Sequence, residues 1–435
     1  MEIALLRALR IVIRADSDPA RQALFANLTQ ANALARFVCW LHKRLGKTWA
    51  SSILVSCYGL KSFLAIAAPP RGVARILAVA VHANARRQVE RFGRWLGAND
   101  IARVRIGVKA LLGSSSLVRL LSLFLWGRGC IRGLRLVHAI NMRHDFLVSC
   151  RVASVLAAYA RGRSILGRLR PRAIVVSSDT NPEEIGFASA ARLFGIPTVF
   201  VSHTYPNPFS PPLDFSLSIL EGDAAVDARR RLGPVKGQIF LAGVEGESAP
   251  LDARRLETRN PVIGILAPKL VAWPKLAEIV ADCRRCFRAK QVLIRWHPSM
   301  LESPQLDRAQ AAASNVVETS PAESLREVVS RCDWAIADEN SNVHLPVLKL
   351  GIPTLAIKNL GVHPEGRSDV FGFQTNGIIF PPVTSISNLA MAALVAFFSD
   401  GWRDRFRRYD ASYLRPPGVI DDEARQAIRS LFDDL

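Results

Sequence analysis

The sequence predicts an α/β chain of two parallel-sheet domains facing a cleft, with a basic, helical N-terminal part. Three observations carry this. Strand and helix patterns alternate from Pro171 onward. A polar stretch from Glu245 to Asn260 interrupts that alternation once. The formal charge of +20 resides in the first 170 residues, which hold 28 Lys+Arg against 6 Asp+Glu, while the remainder holds 29 against 31. A chain of 435 residues, 49% of them hydrophobic, is long and apolar enough for two cores.

The N-terminal third is the least regular. Residues 76–83 (ILAVAVHA) and 102–108 (ARVRIGV) read as strands, with a helix over 86–96 between them. A long helix is expected over 146–169. Its positive charge suits an anionic partner: a membrane leaflet, an acidic polymer or nucleic acid. Nucleic acid fits least, since zinc-ligand spacing, an RNA-binding signature and a dense cationic run with interleaved aromatics are all missing. The arginines instead sit among apolar residues, as in Arg119-Leu120-Leu121-Ser122-Leu123-Phe124-Leu125-Trp126. That pattern fits helices lying on an anionic membrane surface, and equally an Arg-rich soluble domain. The nearest approach to a spanning helix, 106–126, is interrupted by Lys109 and Arg119. The first residues lack the order of a secretion signal. The expected location is therefore cytoplasmic, peripheral on the inner face of the membrane. Seven cysteines without framework spacing fit a reducing compartment, and Cys283-Arg-Arg-Cys286 is a lone pair inside a helical pattern.

From Pro171 the elements follow in order. Residues 173–178 (AIVVSS) form a strand, and Asp179-Thr180-Asn181-Pro182-Glu183-Glu184 opens a helix running to Gly195. Strands follow at 197–202, 214–220 and 238–242, with a proline-rich loop at 204–212 and a helix over 223–232. After the linker, strands are expected at 262–267, 291–296, 316–319, 334–337, 354–357 and 377–380. Helices are expected at 275–290, 303–313, 322–331, 344–350, 387–399 and 402–409. Such alternation makes parallel, Rossmann-like sheets covered on both faces. The domains are read as 1–245, a linker 246–260, 261–410, and a tail 411–435.

Ligands of open parallel sheets lie beyond the carboxyl ends of the strands. In the first domain those ends carry Asp179 and His203; in the second they carry Lys269, His297, the segment 338–342 and the loop after Lys358. Pro298 stiffens the turn that projects His297, which could donate to a phosphate oxygen, protonate a leaving group, or simply be a hydrated loop histidine. Ser341 and Asn342 precede a helix, where they could bind an anion or serve as an ordinary cap. Glu339 could accept from a sugar hydroxyl or pair with a nearby arginine. Asp179 could take a proton from an acceptor hydroxyl or cap its helix. His203 could orient an acceptor or anchor the proline-rich loop. Glu183, placed on the acceptor side, could equally complement the helix dipole.

Ser177-Ser178-Asp179, Gly195-Ile196-Pro197-Thr198-Val199 and Ser202-His203 resemble the N-terminal domain of bacterial capsule and surface-polysaccharide glycosyltransferases. Arg295-Trp296-His297-Pro298 is similar to the His-Pro motif of polysialyltransferases, capsule Kdo transferases and glycerophosphotransferases of teichoic acid synthesis. Ser341-Asn342 and Leu350-Gly351-Ile352-Pro353 resemble the Ser-containing helix start and Gly-x-Pro exit of the same group. The resemblance covers roughly 172–400. It implies two Rossmann-like domains facing a cleft (the GT-B architecture), with His297 and Ser341 on the donor phosphate and Asp179 as base. Lys269, Pro298, Glu339 and Asn342 would complete the donor site.

The expected activity is transfer of a sugar from a CMP- or UDP-linked donor to a cell-envelope polysaccharide or lipid-linked acceptor. No cofactor or metal is expected. One alternative is a sugar-nucleotide epimerase of the same fold. A second is an inactive scaffold subunit of a polysaccharide assembly complex, kept open by Ser341-Asn342 where relatives pair Ser or Thr.

Overall fold

The computed structural model describes residues 3–17, 33–67, 69, 75–96, 101–106, 127–298, 315–320, 322–362, 369–399 and 401–433. It is an α/β chain of two compact units, each built on a parallel sheet. The first unit spans Met1–Leu220, Ala228–Phe240 and Asp421–Leu435; the second spans Glu221–Asp227 and Leu241–Ile420.

The strands of the first unit are β1 (Ile66–Ala67), β2 (Ile76–Val79), β3 (Ile101–Arg103), β4 (Arg105–Ile106), β5 (Ala173–Val176), β6 (Thr198–Val201), β7 (Asp214–Leu220) and β8 (Lys236–Leu241). Six of them form one sheet in the order β3-β2-β5-β6-β7-β8. The pairs β2/β3, β2/β5, β5/β6 and β6/β7 are all parallel. The basic N-terminal part therefore supplies two strands to the same sheet as the clear βα grammar after Pro171. The strand expected over 102–108 breaks at Val104, and its second piece, β4, pairs antiparallel with β1. Central β5 is buried along its whole length, which explains its unbroken Ala-Ile-Val-Val run.

Helix Pro182–Leu193 starts as its residue types dictate. The Asn181 side chain accepts from the amides of Glu183 and Glu184, and Pro182 fills the first turn. It packs against helix Phe146–Leu169, which Asp145 caps. The two backbones approach so closely at Gly186 that a Cβ there would lie 2.7 Å from Ala158 Cβ and 2.9 Å from the Val155 carbonyl oxygen. Helix Ile3–Asp16 lies against both. Arg7 of that helix pairs with Asp214, and fully buried Asp16 pairs with Arg151 at 2.8 Å.

The second unit contains β9 (Val262–Leu266), β10 (Gln291–Arg295), β11 (Val316–Glu318), β12 (Trp334–Asp338) and β13 (Thr354–Ile357). All four pairings are parallel, in the order β11-β10-β9-β12-β13. Numbered within the unit this is 3-2-1-4-5, which is five strands of the doubly wound order 3-2-1-4-5-6. Leu266, Val329, Ala335, Ala337, Val347 and Ile352 form one of its apolar clusters. Each large aliphatic side chain so enclosed is worth about 1.5–3 kcal/mol of transfer free energy.

Several sequence expectations shift here. Residues 377–380 are turn and bend, because the carbonyls of Gly377 and Ile378 accept from Arg405 Nε and Trp402 Nε1 instead of a neighbouring strand. The helix expected over 322–331 is the short Leu325–Val329, and that over 387–399 is a 3₁₀ turn followed by Met391–Ser399. The helix expected over 303–313 and most of the apolar stretch 106–126 fall outside the described residues. The linker stretch belongs to the second unit, with Ala249 N–H donating to the Lys349 carbonyl and Leu251 N–H to Tyr413 Oη. The C-terminal tail forms helix Pro417–Asp433, which from Asp421 belongs to the first unit.

A buried ion pair closes the second unit on itself. Lys349 Nζ lies 3.0 Å from Asp410 Oδ2, with both side chains almost fully enclosed. The ammonium also donates to Ser412 Oγ and the Val244 carbonyl. Asp410 Oδ1 in turn accepts from the amides of Val244 and Ser412, each at 3.0 Å. Gly243 has φ +72°, and a Cβ there would meet Ser412 Oγ at 2.1 Å. Glycine is thus required by both the backbone conformation and the packing.

Candidate functional site

In the second unit the carboxyl ends of β10, β9 and β12 lie side by side. Arg295 and Ala337 are both in register with Leu266. The next residues beyond those ends place His297, Lys269 and Glu339 along one sheet edge in that order. The strand order reverses between β9 and β12, which is where doubly wound sheets open a crevice.

His297 and Lys269 sit within electrostatic reach of each other. The imidazole is held below its ordinary pKa by partial desolvation, then by the positive charges of Lys269 and Arg295. Desolvation likewise lowers Lys269. Two neighbouring basic groups that each resist protonation make a place where an anion is stabilising. Pro298 lies exposed in the turn after His297. Trp296 donates its indole N–H to Glu318 Oε2 at 2.9 Å and packs beside Trp273, which fixes the strand end that carries His297.

The β12 end is braced from below. Asp338 is buried, its carboxylate accepting from the amides of Gly361 at 2.7 Å and Asn340 at 3.0 Å. His344 is fully buried, with Nε2 3.0 Å from the Asp338 carbonyl and Nδ1 2.9 Å from Thr354 Oγ1. A carbonyl only accepts, so Nε2 carries the proton and Nδ1 accepts from the threonine. Burial pushes the His344 pKa down to about 4, so the ring is a neutral strut at physiological pH. Glu339, above this brace, is almost wholly buried. Ser341 Oγ accepts from Val343 N–H at 3.4 Å, and the Asn342 carbonyl accepts from Leu345. The helix begins only at His344 and is six residues long. The Ser341-Asn342 turn is therefore bonded partly into itself.

The polar groups of the first unit gather at the carboxyl ends of β2, β5 and β6. Glu184 is fully buried there. Its carboxylate accepts from the amides of Ser177 at 2.7 Å, Ser178 at 2.6 Å and Val81 at 3.2 Å, and so fills the point where the strand order reverses between β2 and β5. Burial, opposed by those hydrogen bonds, raises its pKa to about 8. Asp179 forms an ion pair with Arg229, which is itself 2% exposed, donates to the Pro211 carbonyl at 2.8 Å and lies over the Phe200 ring. His203 points Nδ1 at the Ser177 carbonyl. By the same logic Nδ1 donates to that carbonyl, and Nε2 is the ring nitrogen left to act on a substrate. Glu183 is half-buried, and its pKa is raised by desolvation against its own backbone hydrogen bond and Arg151. A small pocket under helix Ile3–Asp16 is lined in part by Arg7, Asp179, Glu184 and Arg192.

No protein-family model matches the chain, and no curated protein matches it. Solved structures are similar to it at low identity. The UDP-N-acetylglucosamine 2-epimerase from Rickettsia bellii is 11% identical over 83% of this chain and 97% of its own, with a TM-score of 0.49. The glycotransferase of kitacinnamycin is 13% identical over 83% of this chain and 100% of its own, with a TM-score of 0.46. Sucrose-phosphate synthase from Thermosynechococcus elongatus is 11% identical over 83% of this chain and 100% of its own, at 0.45.

The structure thus brings Lys269, His297 and Glu339 to one edge, with Ser341 and Asn342 in the next turn. Asp179, His203 and Glu183 lie in the other unit. Three contributing residues escape a reading of the sequence. Arg229 is one of three consecutive arginines, and only the fold shows which of them is buried. His82 bonds to Asn181 Nδ2 through Nε2 at 3.3 Å, a pairing of residues 99 apart. Glu184 is separated from Glu183 only by helix phase.

Proposed function

We propose that the chain is a nucleotide-sugar-dependent glycosyltransferase. The observation that carries this is the placing of two basic groups, Lys269 and His297, at the ends of adjacent strands, with buried Glu339 across the strand reversal of a doubly wound sheet. Lys269 and His297 hold the phosphates of a CMP- or UDP-linked donor, and Glu339 accepts from a donor hydroxyl. In the transfer step an acceptor hydroxyl loses its proton to a base and its oxygen bonds to the anomeric carbon. The bond from that carbon to the phosphate oxygen breaks, and the nucleotide leaves with the extra negative charge. Preorganised cations stabilise that charge as it develops.

We assign the base to His203 through its free Nε2. Asp179, paired with Arg229, then positions the loop around it; Asp179 as the base is the competing assignment. The motif resemblance supports a cell-envelope polysaccharide or lipid-linked glycan as acceptor.

Calorimetric titration with UDP, CMP, CDP and GDP tests the donor half. One nucleotide should bind clearly best, and His297→Ala or Lys269→Ala should weaken it roughly 10- to 100-fold, the loss of one charge-assisted hydrogen bond. A nucleotide phosphate would raise the depressed pKa of His297, so binding takes up a proton. Affinity should therefore tighten as the pH falls from about 8 to about 6, and His297→Ala should abolish that dependence. If no nucleotide binds, or if neither substitution changes binding, the assignment fails. Incubating the donor without acceptor separates the epimerase reading: an epimerase converts the sugar, whereas a transferase only hydrolyses it slowly.

A further inference from the structure

The sequence from residue 19 to residue 89 contains no aspartate or glutamate. Within it lie helices Ala33–Leu45 and Trp49–Leu64, both in the first unit. Phe37, Trp40, Trp49 and Ile53 each keep half or more of their surface in solvent, and Tyr58 and Leu60 are also exposed. In the first helix Phe37, Trp40 and Arg44 recur at i, i+3 and i+7, on one face. In the second, Trp49, Ile53 and Leu60 recur at i, i+4 and i+11. Scattered exposed apolar residues are ordinary; six large ones on two successive helices are not.

Cations accompany the rings. The Arg44 guanidinium lies 5.8 Å from the Trp40 ring centre, and Lys61 Nζ lies 5.6 Å from that of Tyr58. Phe37 stacks on Trp40 at 5.9 Å. The opposite faces of these helices are firmly held. Val55 packs into a buried cluster with Val137, Cys150 and Ala153. His42 bonds to Asn141 at 2.9 Å, and Asn141 donates to Ser51 and Ser52 at 2.7 and 3.1 Å. The exposed residues are thus displayed from a fixed base.

We infer that these two helices dock the chain on an anionic phospholipid bilayer. Indole and phenol rings partition to the bilayer interface, while lysine and arginine draw anionic headgroups. The aliphatic side chains decide between a lipid and a nucleic acid. Ile53 and Leu60 gain by entering acyl chains and gain nothing from phosphates or base edges. Among the described residues, no helix is long and apolar enough to cross a membrane. This inference stands apart from the nucleotide-sugar reading.

Flotation of the full chain with vesicles tests it. The chain should rise with phosphatidylcholine vesicles containing phosphatidylglycerol and remain behind with phosphatidylcholine alone, with binding weakened by high salt. Trp40→Ser combined with Ile53→Ser should lower vesicle affinity about tenfold or more, with an unchanged circular dichroism spectrum and thermal midpoint. Arg44→Glu combined with Lys61→Glu should do the same while every apolar side chain of the two helices is kept. Equal binding to neutral vesicles, vesicle binding insensitive to both double variants, or RNA binding lost in the Trp40/Ile53 variant would each overturn the proposal.

Discussion

Lys349→Met is expected to destabilise the second unit by about 3–5 kcal/mol, because it strips the cation from a carboxylate that stays buried. Asp410 would keep its bonds from the Val244 and Ser412 amides, but these were formed around a charge balanced at 3.0 Å by the ammonium. In a unit of this size each kcal/mol moves a melting midpoint by roughly 2–4 °C, so the expected drop is about 6–20 °C. Scanning calorimetry should show that drop in one transition. A midpoint unmoved by the substitution would remove the ion pair from the forces that hold this unit. The effect matters for the site because Lys349 ends the helix that follows the Ser341-Asn342 turn.

His203→Ala is expected to lower kcat by about 10²–10⁴-fold, the usual contribution of a positioned general base. Nucleotide affinity and the melting midpoint should stay where they were, since the cations assigned to the phosphates lie in the other unit. Added imidazole should restore part of the rate, which a purely structural role would not allow. Asp179→Asn makes the contrast. It leaves the buried Arg229 guanidinium without its counter-charge and should cost about 3–5 kcal/mol of stability. If Asp179→Asn instead abolished turnover in a stable protein while His203→Ala left it intact, the two roles would exchange.

The strands after Pro171 that could be read most closely are short, almost wholly enclosed and mainly apolar runs followed by turn chemistry. β5, β9, β12 and β13 all have this form. The N-terminal strands were harder for a topological reason. β2 pairs with β5, nearly a hundred residues away, and no local pattern announces such a partner. Residues 377–380 have a strand-like composition, yet their carbonyls are claimed by Trp402 and Arg405 from a later helix. The site divides the same way. Strand-end positions such as Lys269 and His297 follow from the βα grammar. What each side chain bonds to does not, as Asp179 with Arg229 and His203 with Ser177 demonstrate.

Glu184 has a consequence for how the two halves can share work. Each sheet reverses its strand order once, and such a reversal is where a doubly wound sheet can hold a ligand. In the first unit that place is already taken by a group covalently attached to the protein. A carboxyl group that occupies the amides of Val81, Ser177 and Ser178 keeps those three donors from any second anion. The chain in effect carries a permanent decoy in one half. The two strand reversals are thereby made unlike: a buried glutamate closes the first, while Lys269 and His297 stand at the strand ends beside the second.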